Sequence, residues 1–400
     1  MNDIVILDGT RTAIGTFGGT LANVTPIEMG TTVVKAAMEK SGIEPKQVGH
    51  VAFGHVINTE PRDMYLSRVA SMEAGIPDTI PAMNVNRLCG SGAQAIVSVL
   101  QSLALDDADF GVAAGSENMS RSPHLLASAR WGQKMGDATA ADAMIGALTC
   151  PFGTGHMGVT AENVAAEHEI SRQQQDDFAL ESQRRAGQAI KEGVFRSQIT
   201  PVEVQVRRET RSFDTDEYPQ ETTIEGLSSL RAVFQKDGTV TAGNASGIND
   251  GAAAIVLARA EAAEKAGLQP RARFLGYAHA GVRPETMGIG PVPAVRKLLD
   301  KVGLGTDDFD VIESNEAFAA QALAVNKELN LDPTRVNPNG GAIALGHPIG
   351  ATGVIITVKA LYELERIRGK RALVTMCIGG GQGIALAFER IHHGSNDEFG

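Results

Sequence analysis

Aromatic residues make up only 4% of this 400-residue chain, with one tryptophan, which argues against a large aromatic binding face. Cysteine is rarer still: Cys89, Cys150 and Cys377. Three scattered cysteines exclude a disulfide framework, and the lack of a C-x-x-C pair speaks against a zinc site. No apolar run is long enough to cross a bilayer, since even residues 353–367 carry Lys359, Glu363, Glu365 and Arg366. Residues 1–8 read as a strand, with neither the basic flank nor the cleavage site of a signal peptide. Residues 397–400 are not a peroxisomal tail. Positive charge is in deficit, the net being −11, so non-specific nucleic-acid binding is not expected. These exclusions leave a soluble cytoplasmic protein that binds any anionic ligand through local donors.

What the chain does have is ordinary globular composition, 43% hydrophobic and 21% charged, with 45 glycines for tight turns. The length suits two or three domains around sizeable cores. Its two halves read alike. Residues 4–9 resemble 272–277, each a strand opening its half. Ile27, Met29, Val33, Val34, Ala37 and Met38 have helical spacing over 26–40, which Ser41-Gly42 ends; 293–302, ended by Gly303, is the counterpart. Residues 48–55 match 309–315, short apolar strands ending in His55 and Asn315. Residues 89–95 match 347–353, which sets Cys89 against His347, Gly92 against Gly350 and Ala93 against Ala351. A helix follows each (95–105 and 354–366), then a strand (110–114 and 371–376).

Such alternation implies an α/β fold of parallel sheets covered by helices. Two copies imply a pseudo-dyad that brings Cys89 and His347 together. Between the halves the pattern breaks. Arg121, Arg130 and Lys134 precede an amphipathic helix over 160–190 with Ser171 as N-cap of its second part, then a charged, extended stretch over 194–234. An insertion this long is expected to be a lid or binding domain. The expected organisation is an N-terminal half (1–117 and 248–270), an inserted lid (118–247), a C-terminal half (271–392) and a tail (393–400).

Cys89, in Asn84-Val-Asn-Arg-Leu-Cys-Gly-Ser-Gly92, stands at a strand-to-helix turn. Unpaired amides and the positive end of the helix dipole there favour the reactive thiolate. Gly90-Ser-Gly-Ala-Gln-Ala95 also fits the loose G-x-G-x-x-A pattern of dinucleotide-binding oxidoreductases, with Glu117 as a ribose acid. That fingerprint normally follows the first strand of a fold, and it leaves the preceding cysteine unexplained. Asn315 lies in Glu313-Ser-Asn-Glu-Ala-Phe318, His347 in the glycine- and proline-rich run 337–350, and Cys377 before Gly379-Gly-Gly-Gln-Gly383. Each alone also reads as a strand-end cap, a loop histidine or a tight turn. Together all four fall at carboxyl ends of expected parallel strands, where α/β folds place their sites.

These blocks, with Thr241-Ala-Gly-Asn-Ala-Ser-Gly-Ile-Asn-Asp250, resemble the signature blocks of the thiolase family over residues 2–390. The resemblance implies the thiolase fold, two similar α/β halves in an α-β-α-β-α stack, and acyl transfer between CoA thioesters. It implies Cys89 as the acylated nucleophile, His347 as its base, and Cys377 as the acid/base at the α-carbon. Asn315 would position a water, and the amides of Cys89 and Gly379 would form the oxyanion hole. Cys377 separates this pattern from decarboxylating ketosynthases. By the same resemblance His156 and Met157 would line a short-chain acyl pocket. Leu227, Leu230, Phe234, Ala242, Ser246, Ile248, Ala317 and Phe318 would hold the CoA arm. No metal or redox cofactor is implied; the partners are acyl-CoA and further copies of the chain, as a dimer or dimer of dimers. A thiolase-fold protein that binds CoA esters without turnover is the alternative, against which the intact set of four residues speaks. One departure stands out: after Asp216-Glu-Tyr218, Gln220 and Glu221 replace the arginine that relatives place near the CoA nucleotide. Arg207, Arg208, Arg211 or Lys236 are candidates to compensate.

Overall fold

The computed structural model describes residues 4–392; the tail expected over 393–400 lies outside them. The N-terminal half comprises β1 (Ile4–Arg11), α1 (Pro26–Ser41), β2 (His50–Gly54), β3 (Ala82–Val85), α2 (Ser91–Ala104) and β4 (Phe110–Asn118). The insertion contributes α3 (Met157–Glu167) and α4 (Arg172–Lys191), after which β5 (Asn249–Arg259) returns to the first half. The C-terminal half runs through β6 (Ala272–Gly281), α5 (Pro291–Val302), β7 (Val311–Ser314), α6 (Ala319–Glu328), α7 (Thr352–Arg366), β8 (Arg371–Ile378) and β9 (Gln382–Arg390).

Local chemistry sets the helix ends. Thr25 caps α1 reciprocally with Glu28, Pro26 occupies its first turn, and Gly42 ends it in the left-handed region at φ 69°. Helix α5 repeats the scheme with Pro291 and Gly303. Ser171 caps α4 in partnership with Gln174, as expected. The expected helix over 160–190 is two helices, because Glu169 takes a left-handed turn between them.

Pairing runs β7-β8-β9-β6-β1-β5-β4-β2-β3, with the two-residue strand Gly15–Thr16 against β5. From the β1/β6 junction outward, each half lays down its strands in the same order. Where the first half has β3, the second has only a bridge between Ile312 and Val336. Two residue pairs alone join β1 to β6, so the halves can fold over one another. Ile6, Ala113 and Ile255 from one half and Phe274, Met376 and Leu386 from the other enclose α2 and α7 in one core. Outside it, α1 covers Val5, Val51 and Val112, while α5 covers Ala278, Leu373 and Ala385. This is the α-β-α-β-α stack.

The expectation of parallel sheets needs correcting. Among the described residues only β2/β3, β2/β4 and β7/β8 form parallel ladders; the other ladders are antiparallel. The tight turn at Gly379–Gly381 reverses the chain from β8 into β9, and β5 enters after the insertion rather than through a crossover helix. Neither β5 nor β9 follows the strand–helix alternation from which parallel pairing was expected.

Helix α7 is buried on nearly every side before its last turn, and the burial takes in the charged residues Lys359 and Glu363, while Arg366 is exposed. Lys359 donates to Glu313 (2.9 Å) and to the carbonyl of Gly340 (2.8 Å). Burial pushes the Glu313 carboxyl up to about 7 despite that cation.

Candidate active site

The N-termini of α2 and α7 meet at the centre of the stack. A Cβ on Gly92 would lie 2.9 Å from the Val354 amide nitrogen, so only glycine permits the approach. The same contact removes the dinucleotide reading, because backbone fills the space a pyrophosphate would need. Cys89 precedes α2 and His347 precedes α7, as the repeat requires. His347 departs from expectation in one respect. It follows not a strand but the one-turn helix Ala342–Leu345, because the second half has no full counterpart of β3.

Leu88 sits in the left-handed region at φ 46°, which a leucine adopts only when its surroundings impose it. Cys89 is half-buried, and the backbone amides of its own residue and of Gly379 favour its thiolate. Burial still pushes its pKa up, and the nearby Glu117 adds to the rise. The helix-end argument for a resting thiolate is therefore overturned: desolvation by apolar neighbours outweighs the amides. Cys377 lies near the end of β8, fully buried, and is driven up by burial and by the adjacent Cys89. Both cysteines rest as thiols.

His347 is buried and held neutral, its pKa pushed down to about 4 by desolvation. Asn249 accepts its backbone amide (2.9 Å), and Gly346, at φ 105°, brings the two into contact. On the ring, Nε2 is 3.4 Å from Asn315 Nδ2 and Nδ1 is 2.7 Å from the hydroxyl of Thr352. The Asn315 Oδ1 is buried without a partner among the described residues, as befits an atom awaiting a ligand or water.

Cys89 and His347 open onto a cavity of about 410 Å³ with a mostly apolar lining. His156, Met157, Phe234, Ala242, Ser246, Ile248, Ala317 and Phe318 all line it. His156 caps α3 by accepting the Gly158 amide (3.1 Å) and stacks on Phe234 at 4.7 Å; Phe318 meets Phe234 edge-on at 6.2 Å. The blocks at 241–250 and 315–318 adjoin: Ser246 donates to the Ala317 carbonyl (3.0 Å). Leu227 and Leu230 do not reach the cavity. They pack beneath Gly243, with Leu227 in a small core beside Ala179, Ala319 and Ile343.

The chain matches two family models, "Thiolase, N-terminal domain" over residues 4–261 and "Thiolase, C-terminal domain" over 268–390. The chain belongs to the thiolase family. This thiolase is 59% identical to a β-ketothiolase (BktB) of Cupriavidus necator over 97% of its own length and 99% of the relative's. A crystal structure of Bacillus anthracis acetyl-CoA acetyltransferase superposes with TM-score 0.96 at 45% identity, covering 98% of this chain and 99% of that one. A human mitochondrial 3-ketoacyl-CoA thiolase in complex with CoA superposes with TM-score 0.94 at 42% identity, covering 97% and 98%.

Several residues around the thiolase site carried no signal in the sequence. Tyr218, Leu148, Met287 and Phe17 also line the cavity. Tyr218 is placed by its neighbours: Asp216 is gripped by Arg11 (2.7 and 2.9 Å), and Glu217 accepts the amides of Thr16 and Thr20. Glu316 is buried and accepts from Ser182, Asn337 and the Ile343 amide, tying the Asn315 block to the loop that carries His347. Thr352 could have been suspected as a hydroxyl in the first turn of the helix after a candidate base.

The Gln220 segment is placed differently from the acyl site. Gln220 and Glu221 border a second cavity, about 870 Å³, together with Gln183, Arg184 and Lys191. Arg207, Arg208 and Arg211 lie instead around the tip of the hairpin formed by Val202–Val206 and Glu209–Phe213, and Lys236 is exposed. The cations beside Gln220 are Arg184 and Lys191, neither of them among the expected compensators.

Proposed function

We propose that this chain interconverts β-ketoacyl-CoA with shorter acyl-CoA thioesters through an acyl-enzyme on Cys89. The observation that carries the reading is a partly exposed cysteine and a neutral histidine on one apolar cavity, with a second thiol buried beside them. In condensation His347 takes the Cys89 proton and the sulfur attacks the thioester carbonyl of an acyl-CoA, which leaves the acyl group on Cys89 and expels CoA as a thiolate that takes its proton from the Cys377 thiol. The amides of Cys89 and Gly379, which already favour negative charge on the sulfur, stabilise the tetrahedral oxyanion. The Cys377 thiolate so formed removes the α-proton of a second acyl-CoA, and the resulting enolate displaces the Cys89 sulfur from the acyl carbon, the sulfur recovering its proton from His347. In thiolysis the same steps run backwards. Asn315, with a water and His347, stabilises the enolate oxygen. CoA is substrate, and neither a metal nor a redox cofactor takes part.

His156, Met157 and Phe234 from the insertion close the cavity over Cys89 and His347, which supports reading 118–247 as a lid. Met157 packs against Gly379, which favours short acyl chains. Phe234, Ala242, Ser246, Ile248, Ala317 and Phe318 offer a largely apolar path for the pantetheine arm. We place the enzyme in the cytoplasm as a dimer or dimer of dimers. Two features support self-association: β3 is a sheet edge beside exposed Met64, Tyr65 and Met83, and Trp131 and Met135 are 86% and 92% exposed. Steady-state thiolysis of acetoacetyl-, 3-ketovaleryl- and 3-ketohexanoyl-CoA tests the activity. Turnover falling with chain length is expected, and no turnover of any would leave a CoA-ester binder.

A further inference from the structure

The role of His347 as base depends on which ring nitrogen is bare, and the contacts of Thr352 decide it. The Thr352 hydroxyl is 2.7 Å from His347 Nδ1 and 2.9 Å from the carbonyl oxygen of Pro348, one turn back. A hydroxyl has one proton. If that proton pointed at Nδ1, two oxygens would face each other at 2.9 Å with no hydrogen between them. Directed instead at the Pro348 carbonyl, it leaves Oγ1 as an acceptor, and Nδ1 must then supply the proton. The neutral ring has only one N–H, so Nε2 is bare. Asn315 Nδ2, a donor 3.4 Å away, is complementary to a bare Nε2.

We propose that Thr352 is a positioning residue that fixes His347 in the Nδ1–H tautomer, leaving Nε2, on the Asn315 side, as the only site where the ring can take a proton. All three groups are buried, so no bulk water competes for Nδ1. When Nε2 takes a proton the ring becomes a cation whose Nδ1–H is still held by Thr352, so no rotation or rearrangement accompanies the transfer. The inference rests on the proposed function for its catalytic meaning, but the tautomer itself does not.

Neutron diffraction from the perdeuterated wild-type chain reads it directly. A deuteron on Nδ1 directed at Thr352 Oγ1, and the Thr352 deuteron directed at Pro348, is the expected result; a deuteron on Nε2 alone overturns the inference even if the enzyme is an active thiolase. Kinetics supply the second arm. Thr352→Val keeps the shape and removes the acceptor, and should lower kcat for acyl transfer by about 10-fold or more, part of the ~10²–10⁴ that a general base supplies. KM for acyl-CoA should hold, and Thr352→Ser should restore the rate. Equal impairment of the Val and Ser variants, or a Val variant with wild-type kcat, contradicts the positioning role. Loss of activity in the wild-type chain would instead sink the proposed function and leave the tautomer standing.

Discussion

The two halves of the stack carry the same three positions and use them in opposite ways. Cys89 stands opposite His347 and His55 opposite Asn315. Strand register supplies the third pair: Gly54 pairs with Gly115 and Ser314 with Thr375, so Glu117 occupies the place of Cys377. Their cross-strand partners, Gly251 and Gly383, correspond as well. In the second half Asn315 Oδ1 has no partner among the described residues, and the Cys377 thiol lies buried near Cys89. In the first half Glu117 is consumed by structure, accepting the amides of Val56 (3.1 Å), Ile57 (3.1 Å) and Gly350 (2.9 Å), while His55 Nδ1 contacts the Ser116 carbonyl (2.8 Å). Gly350 lies three residues beyond His347. One half of the pseudo-dyad therefore holds the loop from which the other half works.

The largest test of this division is Cys89→Ala, which should abolish turnover, because no other group can be acylated at that turn. Residual thiolysis above the rate without enzyme would break the comparison. Cys377→Ala should lower condensation by about 10²–10⁴, the usual consequence of losing a general acid or base. A near-normal condensation rate would make Cys377 a structural cysteine. Its counterpart behaves otherwise: Glu117→Ala strands three amides, so stability should fall by more than about 3 kcal/mol in urea unfolding. A Glu117→Ala chain of wild-type stability would deny the supporting role.

Proton linkage separates the halves further. His347 is buried neutral, with its folded pKa at about 4 against 6.5 for the free side chain. The unfolded state thus binds the extra proton first, and stability should fall as pH drops from about 6.5 towards 4. The contribution is of the order of 3 kcal/mol. In His347→Gln that part of the pH slope in urea unfolding should vanish; an unchanged slope would place the linkage elsewhere. The smallest effect concerns the insertion. Gln220→Arg should lower KM for CoA by the equivalent of about 1–2 kcal/mol, a charge-assisted bond's worth, with kcat unchanged. If KM does not move, the cavity beside Arg184 and Lys191 is not where the nucleotide lies.

Much of this was legible in the residues, and for definite reasons. Glycine-rich turns feeding helices are local patterns, so the match of 89–95 with 347–353 was visible, and with it the approach of Cys89 to His347. Strand direction is not local: nothing within 249–259 or 382–390 states which neighbour each strand will meet. The correspondence of Glu117 with Cys377 was hidden because their strands share a register but no chemistry. The protonation of Cys89 was misread for a related reason. Helix ends and amides can be seen in a sequence, whereas the apolar enclosure that outweighs them comes from segments far apart in the chain. Leu227 and Leu230 lie off the cavity at Cys89, under Gly243, since a resemblance assigns a position to a pocket without saying which way the side chain turns.

The most direct measurement is the site of acylation in Cys377→Ala. Incubated with acetyl-CoA and mapped by peptide mass spectrometry, this variant should carry one acetyl group, on Cys89, as the wild-type chain should, because acylation needs no proton removed from carbon. An adduct on Cys150, no adduct in the variant, or a wild-type adduct on Cys377 would contradict the division of labour between the two thiols.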